Sequence, residues 1–161
     1  MEFEVKGLEP LLRPVGEHKF ARAVGEQGEG ELQFNKPAGI SVDTKRKLIR
    51  VVDTNNHRAH VLDLQLRHVA FIGGKKGSGE GEFDEPEFIA ADEPGSDILY
   101  ISDWGNHRVV KVREDGEVLL TFGTKDSDKD QLWYPSGIAL YKNLLYVCDC
   151  FNNRIQVYDK D

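Results

Sequence analysis

Residues Asp103 to Val112 read DWGNHRVVKV and put a carboxylate, an imidazole and a guanidinium within six positions, the ingredients of an active site. The chain repeats the phrase. Asp53 opens DTNNHRAHVLDL and Asp149 opens DCFNNRIQVYD, so Asn follows each Asp by three positions (Asn56, Asn106, Asn152) and Arg by five (Arg58, Arg108, Arg154). The imidazole is present in two copies, His57 and His107, and Asn153 replaces it in the third. A catalytic base serves one pocket, whereas a constellation recurring at a fixed period is the mark of repeat architecture. The set Asp53, Asn56, Arg58, Asp103, Asn106, Arg108, Asp149, Asn152 and Arg154 is therefore expected to be scaffold. Each Asp should accept turn N–H groups, each Arg should reach back across its turn, and each Asn should take the unusual backbone angle.

Working outward, Pro37, Pro86 and Pro135 precede the three elements at a spacing of 49 residues. An apolar run follows each proline (38–43, 87–92, 136–141), then a second (48–53, 98–103, 144–149) and, after the Arg, a third (59–64, 109–114, 155–160). A fourth closes two of the units (67–74 and 117–123). Rich in Val, Ile, Leu, Tyr and Phe and bounded by Gly, Asp, Asn and Pro, these runs read as short strands. Four antiparallel strands per unit describe a propeller blade, and a blade hides its two apolar faces only between neighbours. The expectation is an all-β chain of three blades over 37–74, 86–123 and 135–160. Residues 1–17 form an N-terminal extension, and 18–25 (HKFARAVG) match a fourth strand, because Gly25 stands 12 residues before Pro37 as Gly123 does before Pro135. Segment 18–25 is thus a candidate clasp strand within a repeat region spanning 18–161.

The pattern resembles NHL repeats. It is carried by Pro37, Gly39, Ile40, Val42 and Asp43, by Asp103, Asn106, His107 and Arg108, by Gly77, Gly79, Gly81, Phe83 and Pro86, and by Asn152-Arg-Ile-Gln-Val-Tyr158. The second copy departs from it with Glu87-Phe88 where Gly-Ile is usual, and the third with Leu132-Trp133-Tyr134 and a preceding loop without glycines. NHL propellers usually carry about six blades, and rings need roughly four to eight. Three blades therefore imply either half of a longer propeller or a homodimer that completes a six-bladed ring.

Composition narrows the function. The net charge of −7 over 161 residues argues against a generic nucleic-acid coat, though a local basic patch stays open. No apolar run approaches the ~20 residues of a membrane span, so no membrane contact is expected. Cys148 and Cys150, two apart on one strand, are badly placed for a disulfide, and no second pair exists for zinc. A reduced, cytoplasmic protein without metal or cofactor is the reading. The stretch GKKGSGEG lacks the Gly-Lys-Ser/Thr ending and the following helix of a phosphate loop. Lys45, Arg46, Lys47 and Arg50 read as a solvated hairpin tip.

Loops from strand four to the next strand one, and from strand two to strand three, share one face. The residues there that differ between copies are the candidate partner contacts: Lys75, Lys76, His57, Trp104, His107, Phe151 and Trp133. Aromatics near cations suit a protein interface or base stacking. The resemblance implies a non-catalytic protein-binding platform, linked in the tripartite-motif group to substrate recruitment for ubiquitin transfer by zinc domains this chain lacks. RNA binding is the alternative the resemblance also supplies. A lyase, known among NHL-like propellers, needs metal ligands on the inner strands, which offer Ser41, Asp43, Asp92 and Ser136 and no His.

Overall fold

The computed structural model describes residues 20–160. Within them β1 (Glu26–Gln27) and β2 (Gln33–Phe34) form a short parallel pair. The first blade follows as β3 (Pro37–Asp43), β4 (Leu48–Asp53), β5 (Arg58–Asp63) and β6 (His68–Gly73). The second is β7 (Pro86–Ala91), β8 (Ile98–Asp103), β9 (Arg108–Arg113) and β10 (Val118–Phe122). The third has β11 (Pro135–Tyr141), β12 (Leu144–Asp149) and β13 (Arg154–Asp159). Each blade is an antiparallel meander in chain order, two of four strands and one of three. The inner strands β3, β7 and β11 sit side by side, so the blades fan outward from a common line. The chain is an all-β propeller segment.

Packing explains why these strands alternate so weakly between apolar and polar. Val52, Ala59, Val61 and Ile72 of the first blade close on Ile89, Leu99, Ile101, Val110 and Val112 of the second. Tyr100 and Val109 on the other face of the second blade close on Ile138, Leu145 and Val147 of the third. Phe83 and Leu132, each three residues before a proline, plug the two seams. A middle blade buried on both faces must be apolar on both.

Gly39 accounts for one departure from the repeat. A Cβ there would meet the Glu87 carbonyl oxygen and the Phe88 Cα at 2.7 Å, so the inner strands touch at a glycine. Phe88 occupies the space that Gly39 leaves.

Two expectations need correction. Residues 20–25 form no strand, while His18 and Lys19 lie outside the described residues. A strand requires an edge to pair with, and among the described residues no strand pairs with this segment. Second, Arg50 is not solvated: its side chain is fully buried, Nε donating to Glu114 Oε1 at 2.7 Å and Nη2 to Asp43 Oδ2 at 3.5 Å. Arg46 also pairs with Glu114. Lys45, Arg46 and Lys47 are exposed, as a hairpin tip should be, whereas Arg50 together with Glu114 forms a charged rivet between the first two blades.

Candidate functional site

The repeated Asp, Asn and Arg build the loop face, by contacts longer in range than the sequence suggested. Asp53 Oδ1 accepts the Asn35 N–H at 2.6 Å, Asp103 the Asp84 N–H at 2.7 Å and Asp149 the Trp133 N–H at 2.7 Å. These donors precede the prolines and do not belong to the Asp turns. The second carboxylate oxygen takes the Asn amide at 2.8, 2.8 and 2.9 Å and the Arg Nε at 2.8, 2.7 and 2.7 Å. The Arg fork then reaches the loop that leads into its own blade: Nη1 donates to the carbonyls of Glu29, Ser78 and Ser127, and Nη2 to those of Gln33, Glu82 and Gln131. The Asn amides donate to the carbonyls of Gly28, Gly77 and Asp126 in the same loops. A planar donor fork tied to a buried carboxylate is the arrangement that charge-assisted bonding rewards. Burial pushes the Asp103 carboxyl up, against the opposing pull of Asn106, the Asp84 N–H and Arg108.

The left-handed residue of each turn is the one after Asn: His57 (φ 52°), His107 (φ 55°) and Asn153 (φ 53°). His57 Nδ1 accepts the Glu85 N–H at 3.1 Å, and His107 Nδ1 accepts the Tyr134 N–H at 3.1 Å. Each imidazole thus holds the residue before the next blade's proline. Asn153 takes the same angle in the third turn, one that Asn tolerates. Burial, then the charge of Lys125, lowers the His107 pKa, which favours the neutral ring its acceptor role requires.

Four of the candidate contacts converge. Trp104 stacks on Tyr134 with ring centroids 4.0 Å apart, Tyr134 meets His107 at 4.3 Å and Phe151 at 4.8 Å, and Phe151 meets Trp133 at 5.6 Å. Lys125 Nζ lies 6.0 Å over the Trp133 ring. The result is an aromatic strip across the seam of blades two and three, with Phe151 54% exposed at its end. Equivalent backbone bonds, Gly105 N–H to Asp84 and Phe151 N–H to Trp133, confirm that Trp104 and Phe151 stand one position out of step in their turns. Tyr134, the residue that joins the strip, was read as a departure from the repeat but not as a candidate contact. Its signal was available, since it sits immediately before Pro135, where Glu85 and Lys36 stand in the other copies.

Lys75, Lys76 and His57 lie apart from that strip, over the first seam. Lys75 pairs with Glu82, and Lys76 Nζ lies 3.3 Å from Asp84 Oδ1. His57 Nδ1 is 3.8 Å from the same Asp84 oxygen. On the opposite face Asp43 accepts the N–H groups of Lys45, Arg46 and Gly95. Although burial raises the Asp43 pKa, these bonds and Arg50 bring it below the usual carboxylate value. Among the described residues no three His, Cys, Asp or Glu side chains gather in a group that could hold a metal ion, and Cys148 and Cys150 are free thiols. No helix of the described residues is long and apolar enough to cross a membrane.

A family profile described as NHL repeat matches residues 132–158, the third copy of the pattern. Residues 132–158 hold one NHL repeat. It is 28% identical over 138 residues to the protein brain tumor of Drosophila melanogaster, covering 85% of this chain and 13% of that protein. It is 33% identical over 85 residues to NHL repeat-containing protein 2 of Gallus gallus, covering 48% of this chain and 12% of that one. The chain thus spans a small part of the relatives it matches. Solved structures with the same fold include a streptogramin B lyase (TM-score 0.53, 16% identity, 76% of this chain and 40% of that one). An auxiliary nutrient binding protein from Bacteroides thetaiotaomicron is also similar (TM-score 0.59, 18% identity, 76% and 37%).

Proposed function

We propose that this NHL segment is a non-catalytic platform whose aromatic strip docks a protein partner. The carrying observation is the strip itself: Trp104, Tyr134, Trp133 and Phe151 are stacked ring on ring, so they are ordered before any partner arrives. Aromatic anchors already fixed in place lose little conformational freedom on binding, which is why such groups dominate interfaces. The resemblance to the tripartite-motif group adds a cellular setting, recruitment of a protein substrate for ubiquitin transfer in the cytoplasm. That activity would reside in other domains or partners.

RNA binding is the second reading. Two observations weigh against it on this face: Lys75 and Lys76 are each matched to a carboxylate, and the three repeat arginines are spent on loop carbonyls. A displayed library of extended peptides, selected on the chain, tests the primary reading. Enriched peptides should bind Phe151→Ala at least tenfold more weakly. Equal binding by that variant, or selection of nothing beside tight and salt-steep binding of a labelled single-stranded RNA pool, would refute the protein-docking reading.

A further inference from the structure

One repeat position is a carboxylate in the first copy and a hydroxyl in the other two. Glu29, Ser78 and Ser127 are equivalent, since the carbonyl oxygen of each accepts Nη1 of its repeat arginine at 2.7, 2.7 and 2.8 Å. Of the serines among the described residues, Ser78 and Ser127 alone are exposed, and Glu29 is exposed too. The first copy thus keeps its arginine network with an anion at this place. Two residues earlier a second position varies in step. Gln27, Lys76 and Lys125 are equivalent by their parallel pairing with Phe34, Phe83 and Leu132. A lysine accompanies each serine, and a glutamine accompanies the glutamate.

The two Lys-x-Ser pairs differ in what else the lysine holds. Lys76 Nζ is 3.3 Å from Asp84 Oδ1. Trp133 stands where Asp84 does, because its N–H reaches Asp149 as the Asp84 N–H reaches Asp103. Lys125 therefore faces a ring in place of a carboxylate, with Nζ 6.0 Å from the Trp133 centroid, the outer limit of a useful cation–π contact. The serines differ as well. Asp126, Asp128 and Asp130 stand at positions −1, +1 and +3 from Ser127, within the exposed run 124–130. Ser78 has Glu80 and Glu82 at +2 and +4, and Glu82 is paired with Lys75. A kinase with a basic substrate groove reads acids beside its serine and three residues beyond it, by charge complementarity. Ser127 meets that pattern and Ser78 does not. The Ser127 hydroxyl is also loosely held, 3.5 Å from Asp126 Oδ1.

We propose that Ser127 is a phosphorylation site for an acid-directed serine kinase, and that its phosphate draws Lys125 off the Trp133 ring. In the transfer, Ser127 Oγ bonds to the terminal phosphorus of a nucleoside triphosphate as the bond from that phosphorus to the diphosphate oxygen breaks. The hydroxyl proton passes to the carboxylate base of the kinase. The side chain gains a charge of about −1.5 to −2 and three strong acceptor oxygens. Asp126 and Asp128 oppose that charge, so the phosphate needs a cation in reach. Lys125 is two residues away and anchored by its bridge to Leu132, while Arg154 is committed to loop carbonyls, that of Ser127 among them. A charge-assisted bond outweighs a cation–π contact at its distance limit. Phosphorylation thereby uncovers the Trp133 face at the end of the aromatic strip. Neither the site nor the Lys125 contact depends on what docks there.

The full chain, incubated with an acid-directed serine kinase and ATP, should take up one phosphate. Fragmentation mass spectrometry should place it on Ser127, and Ser127→Ala should take up none. No uptake, or uptake unchanged in Ser127→Ala, would overturn the site. Phosphorus NMR of the phosphorylated chain should then titrate with a second pKa below the ~6 of a free phosphoserine, and Lys125→Met should return it toward that value. A titration that Lys125→Met leaves unmoved would overturn the Lys125 contact.

Discussion

Asp103 shows how one side chain sets the geometry of two loops. Its oxygens hold Asp84, Asn106 and Arg108 together. Asp103→Ala would leave a partly buried guanidinium and a backbone donor without their acceptor. Removing one partner of a buried pair costs about 3–5 kcal/mol, which chemical denaturation would register as a lower midpoint at unchanged slope. Trp104 and Phe151 should separate stability from binding. Trp104→Ala loses the stack on Tyr134, a pair worth about 0.5–1.5 kcal/mol beyond its buried area, and also weakens the partner. Phe151→Ala, at the exposed end, should change stability by under about 1 kcal/mol while weakening the partner as much. His60 gives a pH dependence. Fully buried, with Nε2 2.8 Å from His68 Nδ1, it has a pKa lowered to about 4, first by burial and then by the charges of His68 and Arg58. A depressed imidazole pKa means the unfolded chain binds the extra proton, so stability is full above about pH 6.5 and falls as the pH drops toward 4. The loss is about 3 kcal/mol at most, and melting temperatures followed from pH 7 to 4 should show it shrink in His60→Gln.

At the scale of the element, strands and turns were legible because each carries its own signal. The second strands fall where the alternation of Tyr, Ile, Val and Leu puts them, at Leu48–Asp53, Ile98–Asp103 and Leu144–Asp149. The third strands begin one residue earlier than the apolar runs, because the Arg of each repeat already pairs with its Asp across the ladder. What the sequence concealed are contacts between elements far apart in the chain. Nothing near Arg50 announces Glu114, and nothing near Asp103 announces the Asp84 N–H. Tyr134 was hidden for another reason: its importance comes from two neighbouring rings that lie on different blades. The inner strands offer a test at this scale. In Gly39→Val the new side chain would press on the backbone of Glu87 and Phe88, which cannot withdraw without opening the first seam. A loss of about 1–3 kcal/mol is expected, and hydrogen exchange should quicken in β3 and β7 before β12 and β13. Uniform quickening would show that the seam is not the site of the damage.

For the molecule as a whole, three blades fan from one line and carry the repeated Asp, Asn and Arg networks on the same face as the aromatic strip. The central claim is that those networks are scaffold and that the strip is where a protein partner docks. Calorimetric titration of a peptide selected on the chain, with thermal melts of the same samples, measures both together. The account predicts that Phe151→Ala loses at least tenfold in affinity while melting near the parent chain; a Phe151→Ala variant that binds the peptide as the parent does would contradict it.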